Sequence, residues 1–293
     1  MKILIIGSEG FVGSNLVLGL SKNYQVICAD QLDSSKNKNY KKLDITNLEN
    51  VNEVVRDVDV VVHLAAHSLV SSLDGTITNA QVNIIGLLNL LETCRKNNIK
   101  KIIFTSASSL IGEPNSQKVK ENDSPFPKTA YGITKLTSEH YLRLYYELYK
   151  IEYVIFRFFN IYGPYQKNGL IPSLYSRIIN GQPLTVFGKG NQIRDYVFIN
   201  DVITFFDQAI SSNTIKNEIF NLGTGYGTSI KEIIEHLSQI LNSSPSIDFQ
   251  PERPGEIGNF VADTDKLKNS FGKIPNTSVK EGLEKTIHWL KNS

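Results

Sequence analysis

The sequence predicts an α/β fold, a doubly wound parallel sheet joined to a smaller mixed C-terminal domain. Three observations carry this. Apolar or β-branched runs in the first half are continuous rather than alternating, as strands buried on both faces require. Helical stretches separate them, giving the β–α alternation of a parallel sheet. Gly7, Gly10 and Gly13 join the first strand to the first helix.

Taken in order, the strand runs are 3–6, 25–29, 58–64, 101–105 and 153–158. Helices are expected over 10–21, 48–55, 79–97 and 130–149. After Gly163-Pro164 the segments shorten and Gly and Pro punctuate them. Residues 220–223 read as a strand returning to the main sheet, and 229–242 and 279–292 as helices with one apolar face. The expected division is a Rossmann-type domain over 1–165, with 195–228 returning to it, and a second domain over 166–293.

Composition narrows the function classes. With 31 Lys+Arg against 29 Asp+Glu, the formal charge is +2, too little for a strong field toward nucleic acid or an anionic membrane. A 41% hydrophobic content excludes a mainly disordered chain. No apolar run approaches the ~18–20 residues that span a bilayer. The first strand follows Met1-Lys2 directly, so no targeting leader is expected. Cys28 and Cys94 cannot form a disulfide framework, and the expected location is the cytoplasm. His63, His67, His140, His236 and His288 show no metal-ligand spacing, so no metal is expected.

The glycine spacing is G-x-x-G-x-x-G over Gly7-Ser8-Glu9-Gly10-Phe11-Val12-Gly13. Glycines there permit a tight turn and close approach of a pyrophosphate to the helix N-terminus. A tight βα turn against a close-packed helix is the plain alternative. Asp30 ends the second strand about 20 residues on, where a carboxylate accepts from an adenosine ribose and disfavours the 2′-phosphate of NADP. A solvated strand end is its alternative. Asp44-Ile45 and Leu64-Ala65-Ala66 end later segments, the small alanines leaving room for a cofactor to cross the sheet edge.

Tyr131 and Lys135 stand four residues apart, on one face of a helix. A nearby cation stabilises phenolate and lowers the tyrosine pKa, giving a general acid/base near neutral pH. An ordinary amphipathic helix would carry the same spacing.

With these residues in place, the chain resembles the extended short-chain dehydrogenase/reductase family. It is most similar to the NAD-dependent nucleotide-sugar epimerases and dehydratases, especially those acting on UDP-glucose and UDP-galactose. The marks are GSEGFVG at Gly7, HLAA at His63, VNIIGLLNLLE around Asn83, YGITK at Tyr131 and RFFNIYGP at Arg157. VFGKGNQIRDYVFINDV from Val186, NLGTG at Asn221 and RPGE at Arg253 complete them.

The resemblance implies NAD as cofactor and a nucleotide-diphosphate sugar as substrate. Tyr131 would remove the C4 hydroxyl proton, and Lys135 would also hold the nicotinamide ribose. Phe11, Val12, Asn83 and Phe159 join the cofactor contacts. Asn160, Val186 and Tyr196 join the substrate contacts, and Arg194 and Arg253 would clamp the diphosphate by bidentate chemistry. Glu256 stands where the family carries aspartate. Relatives pair two helices per subunit, so a homodimer is expected through 79–97 and 130–149, with Leu87, Leu90, Leu91, Leu142 and Leu144 to spare.

Two further positions depart from the family. Its third catalytic hydroxyl falls on Ala107, five residues before Gly112. Either Ser106 or Ser108 supplies it or the reaction runs without it. Ser106 should face away along the strand, so Ser108 is the expected replacement, with serines that merely satisfy turn backbone groups as the plain alternative. Ile111 replaces the usual tyrosine. Dehydratases carry an acidic pair where this chain has Ser108 and Ser109, and decarboxylases a glutamate at the second. An epimerase or a ketosugar reductase remains, and Asp30 favours the NAD-dependent epimerase. Phe260 would hinder a 2-N-acetyl group, favouring glucose/galactose over N-acetylhexosamine. A non-catalytic NAD-binding regulator or scaffold is the reading of another class that Ala107 keeps open.

Overall fold

The computed structural model describes residues 1–73, 75–114, 116–252 and 257–292. Along the chain run β1 (Lys2–Ile6), α1 (Phe11–Leu20), β2 (Gln25–Asp30), β3 (Tyr40–Lys42), α2 (Leu48–Val54), β4 (Val60–His63), α3 (Thr76–Ala80), α4 (Gly86–Lys96), β5 (Lys101–Ala107), α5 (Ala130–Tyr149) and β6 (Glu152–Phe158). Then come β7 (Asn160–Tyr162), α6 (Leu170–Ile179), β8 (Leu184–Phe187), β9 (Ile193–Arg194), β10 (Tyr196–Phe198), α7 (Ile199–Ser211) and β11 (Glu218–Leu222). The last elements are β12 (Thr228–Ser229), α8 (Ile230–Leu241), β13 (Ile247–Gln250), β14 (Asn259–Phe260), α9 (Asp265–Phe271) and α10 (Val279–Lys291). The chain forms two compact units: Met1–Gly112, Glu121–Phe158 and Ile203–Phe220 in one, Glu113–Lys120, Phe159–Val202 and Asn221–Ser293 in the other.

The first unit is built on a seven-stranded sheet of order β11-β6-β5-β4-β1-β2-β3. β1 pairs in parallel with β2 on one side and β4 on the other. The strand order therefore reverses beside β1, and the crevice at such a switch point is where ligands of doubly wound sheets bind. Ile3, Leu4 and Ile5 are fully buried, because helices cover both faces. The core beneath includes Leu87, Leu90, Leu91 and Leu142.

Two features escaped the sequence pattern. β3 is a short edge strand, Tyr40-Lys41-Lys42, with no apolar run to announce it. The helix expected over 79–97 begins earlier and is interrupted by a π-helical turn, Gln81–Ile85, between α3 and α4. Such turns cluster at functional sites because they re-aim side chains. Among the described residues, no helix is long and apolar enough to cross a membrane.

In the second unit β7 and β10 pair in parallel, β9 lies between β12 and β14, and β8 pairs with β13. Tyr162 packs its ring against Phe198 and Tyr196, with centroids 5.6 Å and 6.2 Å away. Gly282 of α10 sits on that ring: a Cβ there would fall 2.1 Å from Tyr162 Oη, so only glycine allows the approach.

Candidate active site

The carboxyl ends of β1, β2 and β4 open onto a cavity of about 290 Å³. Gly7, Gly10, Asp30, Asp44, Ile45, Leu64, Ala65 and Ala66, all singled out from the sequence, line it. Val82, which opens the VNIIGLLNLLE motif, also lines it, as do Ile6, Gln31, Leu43 and His67, which the sequence did not single out as cofactor contacts.

The glycine loop is closed by contacts that exclude side chains. Gly7 has φ +88°, and a Cβ on it would lie 2.8 Å from the Ala65 amide nitrogen. A Cβ on Gly13 would lie 2.0 Å from the Gly7 carbonyl oxygen. α1 follows Gly10, which offers no side-chain cap, and has no acid in its first turn. Its first N–H groups are thus left for an anionic ligand. At the other end, Asp30 Oδ2 accepts from the Glu9 amide at 3.0 Å and Oδ1 from the Gln31 amide at 2.8 Å. A carboxylate held this way keeps lone pairs for a ribose diol. These residues fit a dinucleotide. Phe11 and Val12 fall on the first turn of α1, not in the cavity lining.

Asn83 sits next to the cavity, bonded to its lining residue His67. It sits on the π-helical turn and is buried, outside the cavity lining. Its amide nitrogen donates to the His67 carbonyl at 3.1 Å, and its oxygen accepts from the His67 amide at 2.8 Å. The same nitrogen donates to Thr134 Oγ1 at 3.1 Å. Asn83 therefore fixes the loop after β4 to α5.

α5 is capped by Thr129, whose hydroxyl accepts from the Gly132 amide at 3.1 Å. It presents Tyr131, Lys135 and Glu139 at successive i+4 positions of one face. Lys135 is buried, donates to the Thr105 carbonyl at 2.7 Å, and lies 4.6 Å over the Phe104 ring and 5.6 Å over the Tyr131 ring. Burial pulls its pKa down to about 7, partly opposed by Glu139. Burial likewise pushes Tyr131 up to about 12. That reverses the downward shift expected from the sequence. Burial strips the phenolate of water, and the neighbouring ammonium is itself disfavoured by the same desolvation.

Glu139 is held by a bidentate Arg157, at 2.8 Å and 3.0 Å, and by Ser106 Oγ at 2.6 Å. Ser106 thus turns its hydroxyl to Glu139 of α5. Ser108 is buried on a 3-10 turn, Ser108–Leu110, immediately after β5. A Cβ on Gly132 would meet the Ser109 carbonyl at 3.5 Å, so this turn lies against the start of α5. Fully buried His63 completes the cluster; desolvation, then Lys135, draws its pKa down to about 3, and it is neutral.

The remaining candidates belong to the second unit. Phe159 and Phe260 are buried with ring centroids 5.5 Å apart. β14 pairs with β9 so that Phe260 lies opposite Arg194. The Asn160 amide donates to the Asp195 carbonyl at 2.9 Å, and its side chain to the same oxygen at 3.3 Å. Asp195, missed from the sequence, is fully buried and accepts from the Thr224, Gly225 and Ala262 amides and the Thr224 hydroxyl. Burial raises its pKa against those bonds. The residue binds together the segments that carry Asn160, Arg194 and Phe260. Tyr196 is buried, its phenol pushed up to about 12 by desolvation. Val186 is buried on β8 at 2% exposure, so it packs the core. Arg253 and Glu256 lie outside the described residues.

A glycine loop on an uncapped helix, a strand-end aspartate and a Tyr–Lys pair define a dinucleotide-dependent α/β enzyme. The chain belongs to the NAD dependent epimerase/dehydratase family, whose model matches residues 3–223. NAD is accordingly its cofactor, acting on nucleotide sugars. Among solved structures it is similar to the UDP-glucose 4-epimerase of Thermotoga maritima with UDP-glucose, at 32% identity and a TM-score of 0.92 over 100% of this chain and 99% of that one. The UDP-N-acetylglucosamine 4-epimerase of Methanobrevibacter ruminantium matches at 30% and 0.92 over 99% and 98%. The UDP-glucuronic acid 4-epimerase of Bacillus cereus, in complex with UDP-glucuronic acid and NAD, matches at 32% and 0.92 over 100% and 99%.

Proposed function

We propose that the protein epimerises C4 of a UDP-hexose, with UDP-glucose and UDP-galactose the favoured pair. The observation that carries this is the Tyr131–Lys135 pair, set beside a turn whose side chains, Ser108, Ser109 and Leu110, include no acid. Expelling a C6 hydroxyl needs such an acid; exchanging a C4 proton does not. Tyr131 Oη takes the C4 hydroxyl proton and later returns it. Lys135, tied to the Thr105 carbonyl, lends positive charge to the phenol, and Ser108 supplies a second hydroxyl. When bound, NAD supplies reversible hydride acceptance at the sugar C4. Arg194, with Arg253, holds the diphosphate, and Phe260, buried against Phe159, leaves little room for a 2-N-acetyl group.

The test is incubation of purified protein with UDP-galactose, without added cofactor, and NMR of the product. UDP-glucose should accumulate to equilibrium. Turnover of UDP-N-acetylgalactosamine or UDP-glucuronate instead would correct the sugar. A requirement for NADPH would make the protein a reductase. No turnover across UDP-, dTDP- and GDP-sugars, with NAD bound, would leave a non-catalytic NAD-binding protein.

The same reading includes a cytoplasmic homodimer paired through α4 and α5. Of the leucines expected to serve it, Leu87, Leu90, Leu91 and Leu142 are spent in the core of the first unit. Leu144 is exposed, as are Ile133, Leu148 and Tyr149 on the same helix. Sedimentation at twice the chain mass is the expected result.

A further inference from the structure

We infer that Glu9 is a second discriminating carboxylate of the dinucleotide site, set beside Asp30 so that a cofactor bearing a 2′-phosphate is rejected. Glu9 lies inside the glycine loop, outside the cavity lining itself, and its amide donates to Oδ2 of Asp30, which does line the cavity, at 3.0 Å, so the two acids are neighbours. Its side chain is half-buried and fixed. Oε1 accepts from Ser35 Oγ at 2.8 Å, from Asn37 Nδ2 at 2.9 Å and from Ser8 Oγ at 3.2 Å. The carboxylate is thereby turned toward the loop that follows Asp30.

The surrounding groups leave that charge in place. Ser35 and Asn37 point their polar atoms at Glu9, while the alternating Lys36 and Lys38 are exposed. Lys42, on the neighbouring edge strand, is paired with Asp33 at 2.6 Å. Tyr40 reports the resulting field. Its hydroxyl donates to the Asp30 carbonyl at 2.9 Å, and its pKa is raised first by burial and then by Asp30, Glu9 and Asp33. Three acids, of which Asp30 lines the cavity, act on one ring. A phosphate carrying about −2 would meet Glu9 as well as Asp30, whereas a ribose hydroxyl would meet only acceptors.

The role could instead be mechanical, a clamp between the glycine loop and residues 31–37. Glu9→Gln separates the two, since the amide keeps an oxygen for Ser35 and Asn37 and loses only the charge. The experiment strips the protein of bound dinucleotide and titrates NAD+ and NADP+ by calorimetry, with no sugar nucleotide present. Its outcome is thus independent of which sugar the enzyme turns over. In Glu9→Gln the ratio of the NADP+ to the NAD+ dissociation constant should fall about tenfold, the scale of one unit charge at short range in a half-buried site. Glu9→Lys should lower it further. A ratio within twofold of wild type in both variants would overturn the inference and leave Glu9 a clamp.

Discussion

Replacing Lys135 with methionine should change the pH dependence of stability by an amount the structure sets. Met matches the length of the stem and places no ammonium between Phe104, Tyr131 and the Thr105 carbonyl. In the folded wild type burial brings the Lys135 pKa from 10.5 to about 7. For a base depressed in this way, the unfolded chain holds a proton that the native one lacks between those two values. Wild-type stability therefore rises with pH through that window, and below it the native state bears the full cost of the buried cation. From pH 6 to pH 9 the change integrates to about two units at 1.36 kcal/mol each, or about 3 kcal/mol. Relative to wild type, Lys135→Met should gain about 3 kcal/mol at pH 6 over its standing at pH 9. Urea unfolding of dinucleotide-free protein at both pH values measures this, because bound ligand would add its own stabilisation. Titrating groups that do not interact with Lys135 cancel in the difference between variants, and His63, which does, titrates near 3, below the range measured. Parallel pH profiles for the two proteins would refute the reasoning.

Three further outcomes are expected. Tyr131→Phe removes the only hydroxyl assigned to C4 proton exchange; turnover should drop at least about 100-fold while NAD co-purifies at the wild-type ratio, read from absorbance of the extracted nucleotide. Gly13→Ala sets a Cβ 2.0 Å from the Gly7 carbonyl, so the glycine loop must open. A stability loss of about 1–3 kcal/mol by urea unfolding should accompany weaker NAD binding by calorimetry, and wild-type values for both would defeat the close-contact argument. Arg157→Met leaves the Glu139 carboxylate, 3% exposed, with Ser106 but without its guanidinium fork. It should cost about 3–5 kcal/mol, and adding Glu139→Met should restore most of it; a single variant within 1 kcal/mol of wild type would contradict the burial.

The parts of the fold legible in the sequence are those set by local pattern. Continuous apolar runs marked β1, β2, β4, β5 and β6, and the glycine spacing with Asp30 marked the cavity they border. β3 escaped because a three-residue edge strand needs no apolar side chains. Motif position says nothing of direction for Asn83; only the fold shows the π-helical turn aiming its amide at the His67 backbone. Val186 and four of the five leucines expected to serve the dimer look available in a one-dimensional pattern but are core residues. Asp195 and Glu9 show the converse. Each is one acid among many in the sequence, and only the fold gathers the donors that give it a place.

The direction of the Tyr131 shift has a further consequence. Spacing alone argues that Lys135 lowers the phenol pKa, yet the same burial that raises Tyr131 also brings Lys135 down to about 7, where it is only partly charged at neutral pH. The two desolvations act together: with the site dry, a proton sits preferentially on the phenol and is lost readily from the ammonium. Glu139 is the group that pulls the other way, holding Lys135 closer to its charged form. Arg157 and Ser106 fix that carboxylate in place on the far side of the Lys135 turn. A helix face that ordinarily buries leucines thus buries a phenol, an ammonium and a carboxylate in sequence, four residues apart. The stability forgone there is what places the Lys135 pKa near neutrality, where a proton can move in either direction at small cost.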